Sequence, residues 1–592
     1  MIASMTKYSF ILLNGTQGDL LERLQQIGLV DITRSAKPLD ATSEELVADI
    51  ELLDGLIHGL QGAEIPEGTT PEAIDGDIVR LSGGMLMRYA DDSNDIQELR
   101  KEVESLRVWG RFNPELLEAL KQAGAPIHFH TLSTKAFKPE WAGEYALSVI
   151  QADKSKTWFV VAGEDALPGE IAVPEADIIE KEKELQEREH HFQVVLSRLA
   201  GARERLGELE ERKAEDYARL DLHLAGAAAV PAAEDTIVTL VGYAPTEKDA
   251  EVSAALDDAG VFYLKEAAAV EDNPPISLKN NWFVRQFEVL TDMYGRPAYN
   301  GFDPTPFISI FFLLFFALCM GDAGYGLILI LVGLALKKAD GFKSLSPLVV
   351  ILGIGTVIVG FFLHTFFSMD IAQWKVFEPI KGLFLPDEIA GYAGGMILAI
   401  VVGIVHLCLA MLVKAIQEVK VNGFAHSLGT LGWTLLIVGG VIVGGLALAG
   451  VLNSAVTKWV IIGIGIISAI GIFPLNNLKR NVFKNVGLGL WDSYNTVTGL
   501  LGDVLSYLRL YALGLAGGML GMAFNDMGLM VLGDGGVGGW IFFILLVLVG
   551  HVLNIAMCAL GAFVHPLRLN FLEFFKNSGY EAKGRVYKPL KK

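Results

Sequence analysis

Gly502-Asp-Val-Leu-Ser-Tyr-Leu-Arg-Leu-Tyr-Ala-Leu-Gly514 is an apolar helical stretch with a single arginine, Arg509, at its middle. Apolar residues continue on both sides, from Val497 to Phe524. As one helix the stretch measures about 42 Å against a hydrocarbon core near 30 Å, so it spans a membrane with a strong tilt. An arginine near the centre of a spanning helix costs several kcal/mol on insertion scales and marks a functional position with a partner to be found. Snorkelling to the interface is the ordinary alternative, but Arg509 lies about a dozen residues from either end, too far for its stem to reach. Past it come Gly514, Gly517, Gly518 and Gly521, a small-residue spacing that lets a second helix approach closely.

Further spans lie on both sides of this one. Stretches of about 20 apolar residues run near Leu345–Phe367, Met396–Val413, Leu428–Val451, Val456–Phe473 and Trp540–Val564. Phe307–Leu336 would be about 45 Å long as one helix, and Gly321-Asp-Ala-Gly-Tyr-Gly326 breaks it into two short spans. The expectation is an all-α membrane domain of about eight transmembrane helices over residues 304–592, the last two long and tilted.

Loop charges fit that count. With the N-terminus inside, the inner loops carry Lys337, Lys338 and Lys343, then Lys414 and Lys420, then Lys479, Arg480 and Lys484. The tail adds Lys576, Lys583, Arg585, Lys588, Lys591 and Lys592. Outer loops hold only Lys375, Lys381 and Lys458, beside Asp370, Glu378, Asp387, Glu388, Asp526 and Asp534. Positive residues stay in the cytosol, so both termini are expected there.

Residues 1–303 read differently. The mean hydropathy of +0.41 averages a charged N-terminal half with an apolar, Gly-rich C-terminal half. Short apolar strands at Tyr8–Leu13, Trp158–Val161 and Thr236–Val241 alternate with helical patterns, as in small α/β modules. The first of these runs is too short for a signal-peptide core and lacks a cleavage site. Asp177–Leu224 is dense in charge, with Leu185, Phe192, Leu196, Leu199, Leu206, Leu209, Tyr217 and Leu220 along one stripe. It predicts a coiled-coil-like helix roughly 70 Å long, with Ile96–Trp109 as its antiparallel partner. The fold class is therefore mixed: a cytosolic arm of α/β modules and long helices, then the membrane domain. A solvated charged helix with no mechanical duty is the plainer reading of the long stretch.

Composition excludes several functions. A net charge of -20 argues against nucleic-acid binding, which needs basic surface. The three cysteines, Cys319, Cys408 and Cys558, sit in apolar runs without metal-ligand spacing. No phosphate-binding loop of the G-x-x-x-x-G-K-[ST] type occurs, so hydrolysis of ATP by this chain itself is not expected, nor is a cofactor or metal. A second arginine, Arg568, follows Pro566 near the inner end of the last span, where snorkelling alone would serve. Yet Asn554, Gly561, His565 and Arg568 fall on one face and form a polar stripe.

Gly502–Gly514, followed by His565-Pro-Leu-Arg-Leu-Asn570, with Gly321–Gly326 upstream and Val241-Gly-Tyr-Ala-Pro245 closing the soluble half, resembles subunit a of V-type ATPases. Bacterial and archaeal V/A-type enzymes call it subunit I. The resemblance runs the length of the chain in order of parts, and the pair of arginine motifs is its specific element. It implies a stator in a prokaryotic plasma membrane, non-enzymatic on its own, that conducts H⁺ or Na⁺. Its soluble arm would bind peripheral stalk subunits and its last two helices would face a rotating proteolipid ring. Central-stalk and catalytic subunits would be indirect partners. Arg509 matches the arginine essential for ion transfer, and Arg568 its helper. Gly517 and Cys558 stand where the eukaryotic pattern has His and Glu, and Pro566 where it has a small polar residue. Those lining groups do not carry over. By position the channel-lining candidates are Asn554, His565, His406, Asp503 and Ser506, each more often structural when taken singly. Two other classes remain: a secondary transporter with a cytosolic regulatory domain, for which internal repeats would be expected, and a non-conducting anchor, in which Arg509 would be replaceable.

Overall fold

The computed structural model describes residues 1–34, 40–163, 167–172, 178–232, 236–389, 391–475, 482–533 and 536–591. Asp177, Lys479, Arg480, Asp534 and Lys592, used above, lie outside the described residues. The chain is mostly helical, with α/β regions in its N-terminal half and a cluster of apolar helices in its C-terminal half. It forms two compact units, one comprising residues 12–28, 33–238 and 590–592, the other 1–11, 29–32 and 239–589.

The first unit is built on long helices. α1 (Ala41–Gly62) starts at Asp40, whose carboxylate accepts from the Ser43 N–H while the Ser43 hydroxyl answers the Asp40 N–H, a reciprocal capping box. α2 (Ile78–Arg107) is 30 residues long. The stretch expected as one helix is two, α3 (Ile178–Glu204) and α4 (Leu206–Gly226). The break falls at Arg205, whose guanidinium donates to the Ile74 carbonyl at 2.8 Å and is clasped by Glu208. The residues 70–76 cross there, so close that a Cβ on Gly201 would collide with the Glu72 carbonyl oxygen. No proline marks the spot; a distant segment interrupts the helix. α2 and α3 run antiparallel, with Arg100 on Glu189 at 2.7 Å, Arg188 on Asp95 at 2.8 Å and Tyr89 stacked on Phe192. α2 begins 18 residues before the expected Ile96, and Asp77 caps it. Leu53, Leu56, Ile57, Leu60, Val195, Leu199 and Leu209 bury the apolar stripes against one another. An antiparallel sheet, in the order Leu147–Ala152, Lys156–Ala162, Ile127–Ser133, Glu170–Ile171, completes this unit.

The second unit holds a sheet ordered Asp31–Ile32, Ile237–Pro245, Met5–Leu13, Tyr263–Ala267, and then the apolar helices. α5 (Thr305–Met320) and α6 (Ala323–Leu336) are separated at Gly321, whose φ of 58° is left-handed. Asp322 caps α6 and accepts from Gly324 and Tyr325, and also from Phe367 and Ser368 of a distant loop. α7 (Ser346–Phe362) packs on α6. α8 (Gly394–Asn422), α9 (Leu428–Leu448), α10 (Ser454–Ile472), α11 (Val482–Leu532) and α12 (Val537–Arg568) follow. Among the described residues five helices are long and apolar enough to cross a membrane; α5, α6 and α7, at 16, 14 and 17 residues, are apolar but shorter.

α11 is 51 residues long, roughly 77 Å at 1.5 Å per residue, and starts well before Val497. Its first turns carry Lys484 and Asp492 with exposed, stacked Trp491 and Tyr494, the composition of a membrane interface, so hydropathy alone does not register them. α12 does not end at Pro566. It continues through a π-helical turn, Leu569–Phe574, to Ser578, and the Asn570 amide donates to the Pro566 carbonyl at 2.9 Å.

Candidate functional site

α11 and α12 lie antiparallel, and their register is fixed by glycines on α11. A Cβ on Gly517 would stand 2.5 Å from the Cys558 sulfur, and one on Gly521 would stand 3.0 Å from Asn554 Nδ2. Gly514 presses instead on α5, where a Cβ would meet the Leu318 carbonyl at 2.7 Å, while Gly518 faces open space. Three of the four glycines therefore serve close approach, to three neighbours: α12, α5 and, for Gly521, also the loop at Ser368.

This register brings Arg509, His565 and Arg568 together: the His565 ring feels the charge of both guanidinium groups. Among the described residues, Arg509 Nη1 is buried without a hydrogen-bond partner, and so is His565 Nδ1. Among the described residues neither guanidinium is in an ion pair. Arg568 is exposed on the same face as the exposed apolar residues Met557, Leu560 and Val564. One cation thus lies on an outward apolar face and the other has an unmet donor, and the buried Glu573 carboxylate lies within electrostatic range of Arg568.

The other candidates separate into three places. Asp503 lies one and a half turns before Arg509; it is met by Asn577 at 2.8 Å and by Lys576 at 3.5 Å. Ser506 donates to the Gly502 carbonyl at 3.1 Å and lies beside Glu573, a buried carboxylate on the π-helical turn. Asn554 is fully buried deeper along α12 and donates to Tyr325 Oη and to the Gly517 carbonyl, each at 2.8 Å. His406 of α8 is enclosed by Phe311, Phe315 and Phe574, with Nδ1 at 2.9 Å from Tyr507 Oη. Its surroundings are a closed aromatic cage.

Two cavities flank Arg509 along α11. One, of about 310 Å³, reaches Gly499, Leu500 and Asp503, with Lys414, Thr434, Asn495 and Lys576 around it. The other, of about 240 Å³, reaches Tyr511, Gly514 and Leu515 and is lined by His364, Thr365 and Asp387. His364 is held between two acids, Asp370 on Nδ1 and Asp387 on Nε2, each at 3.1 Å.

Glu573, Tyr325, Asn525 and His551 were not singled out from the sequence. Glu573 follows Arg568 by five residues in a segment that reads as a charged tail, and only the continuation of the helix brings it inside. Tyr325 lies within the quoted Gly321–Gly326 break, and its hydroxyl is the one polar group there that reaches α12.

The model of the V-type ATPase 116kDa subunit family matches residues 164–342 and 496–592. Arg509, Arg568, Asp503, Ser506, Asn554 and His565 lie in the second matched segment; His406 lies in neither. The chain is 34% identical over 377 residues to the A-type ATP synthase subunit I of Methanocaldococcus jannaschii, which covers 58% of this chain and 54% of that protein. It is 31% identical over 331 residues to the A-type ATP synthase subunit I of Pyrococcus horikoshii, covering 54% and 48%. These matches span about half the length of the archaeal proteins. The V-type ATP synthase subunit I of Borreliella burgdorferi aligns over the full length of both chains at 24% identity.

Proposed function

Because the chain belongs to the V-type ATPase 116kDa subunit family, we propose that it is the membrane stator of a rotary V/A-type ATPase or synthase, forming the ion path against a ring of small proteolipids. The five long apolar helices and the three shorter ones make eight spans, with both termini cytosolic in a prokaryotic plasma membrane. Residues 1–303 form the arm that holds the peripheral stalks, residues 304–592 the membrane domain, and nucleotide chemistry belongs to other subunits.

The observation that carries this reading is the Arg509 guanidinium on a lipid-length helix, its buried Nη1 without a hydrogen-bond partner among the described residues, with a cavity on each side of it along the chain. A rotor carboxylate crossing lipid is neutral, by protonation or bound sodium. Arginine stays charged at any working pH, so beside it the ionised carboxylate is favoured and its ion leaves. At an effective dielectric of about 20, unit charges 4 Å apart attract by about 4 kcal/mol, roughly three pKa units, enough to switch occupancy and weak enough to let the carboxylate move on. The Asp503 cavity, ringed by Lys414 and Lys576, is the cytosolic half-channel and the His364 cavity the outer one. Arg509 between them blocks direct leakage, so ions travel round with the ring and torque follows.

Affinity purification of the tagged chain from gently solubilised membranes tests the assignment. A very hydrophobic proteolipid and nucleotide-binding subunits should copurify. A chain that comes away alone and transports a solute unaided contradicts it.

A further inference from the structure

Beyond Arg509, towards the end of α11 away from Asp503, a second polar group is built into the membrane domain. Asn525 donates from Nδ2 to the Phe367 carbonyl at 2.9 Å, so its Oδ1 accepts from His551 Nε2–H, also at 2.9 Å. His551 Nδ1 is then left with a lone pair and accepts from the Tyr325 hydroxyl at 2.8 Å. The Tyr325 oxygen accepts in turn from Asn554 Nδ2 at 2.8 Å, whose other hydrogen goes to the Gly517 carbonyl. With Asn525 donating to the Phe367 carbonyl, this pattern assigns a neutral imidazole with its proton on Nε2.

One atom is left over. Among the described residues, Ser368 Oγ is buried and makes no hydrogen bond of good geometry, although the Tyr325 hydroxyl lies within reach of it. A buried hydroxyl without a partner is costly and calls for a reason. The loop that carries it is strained: His364, Phe367 and Ser368 all have φ between 48° and 58°. Asp322 holds that loop in place by accepting from the Phe367 and Ser368 N–H groups, and no side chain intrudes because Gly521 packs against the serine.

A proton added to His551 Nδ1 turns that atom from acceptor to donor. It would then donate to Tyr325 Oη, and the Tyr325 hydrogen would have to swing to a new acceptor, for which Ser368 Oγ stands ready. We propose that His551 is a proton-binding station on the outer side of the ion path, with Tyr325 as the reversible donor and Ser368 as the acceptor that completes the protonated state. Binding takes one proton from the outer aqueous phase, changes no bond between heavy atoms, and is undone by returning the proton. Asn525 and His551 are partly exposed and Tyr325, Ser368 and Asn554 are buried, so the group leads inward. The titratable groups that face the ring are Tyr325 and Asp322 from α6 and its cap; Cys558 lies near on α12. The Asp322 carboxylate is the one anion among them and balances an imidazolium.

This station rests on the ion-path reading above, and one set of vesicles separates the two. The intact reconstituted complex pumps under ATP into vesicles whose interior, the outer side, is buffered at different pH values. Wild type should slow as the interior is acidified through the histidine range of about pH 5 to 8. His551→Gln should lower the rate at least about tenfold, the scale of a lost acid–base group, and abolish that limb. Ser368→Ala, a mild change, should keep the limb but move it about one unit to lower pH, because the protonated state loses a hydrogen bond. A purely structural role would leave the limb where it is. An unmoved limb in Ser368→Ala, an intact limb in His551→Gln, or a wild-type rate set by sodium and flat in pH overturns the station while Arg509→Lys remains inactive. Normal pumping by Arg509→Lys overturns the ion-path reading and the station with it.

Discussion

Asn554 Nδ2 donates to the Gly517 carbonyl at 2.8 Å, and this bond ties α12 to α11 about 12 Å beyond Arg509 along the helix axis. The same turn of α11 lies against Cys558, which leaves no room for a methyl group at 517. The pair of helices that presents both arginines is therefore set by a close contact rather than by side chains meeting across a gap.

Gly517→Ala should separate the helices. Overpacking a well-filled contact costs about 1–3 kcal/mol, to be measured as the loss of thermal stability of the purified complex. Adding Cys558→Ala removes the obstructing sulfur and should restore most of the loss. Failure of the double variant to recover would mean that the backbone, not the sulfur, sets the distance.

In the first unit, Arg203 of α3 donates to the carbonyls of Leu60, Gln61 and Ala63 at 2.7–3.0 Å, satisfying the end of α1. Those carbonyls have no helical partner of their own. Arg203→Ala should cost about 1.5–3 kcal/mol, the range for hydrogen bonds to a charged group. Hydrogen exchange should localise the loosening to the last turn of α1; uniform protection across α1 would argue against the cap.

Asp40 begins that same helix. The Ser43 N–H, the Ser43 hydroxyl and then His223 at 2.8 Å favour its charged form and hold its carboxyl below the usual carboxylate range. A depressed folded value means stability that is fully present above the unfolded value of about 3.9 and is lost as pH falls through the lower folded value. Asp40→Asn keeps an acceptor for the cap but has no charge to lose. The drop in denaturant midpoint between about pH 6 and pH 3 should therefore be smaller in the variant; equal drops would contradict the assignment.

Much of the membrane half could be read from residues alone, because its signals are local. Gly321 followed by Asp322 announces a left-handed stop and a fresh cap, and the structure turns there. Arg509 was conspicuous because a charge is rare in an apolar run. What escaped reading depends on contacts between distant segments. Arg205 lies in an uninterrupted charged helical pattern, and only the crossing of residues 70–76 ends the helix. The first turns of α11 are too polar for a hydropathy window. Glu573 counts as tail unless the helix is known to continue past Pro566. The Tyr325–His551–Asn525 group joins three helices, and no spacing within one segment could reveal it.

The central claim is that Arg509 meets a carboxylate brought by a moving partner. ATP-driven ion pumping by the Arg509→Lys complex in sealed vesicles tests it most directly, since lysine keeps the charge but loses the planar fork and the fixed protonation. Assembly should survive in this variant, and coupled pumping should be almost abolished. Pumping close to the wild-type rate would contradict it.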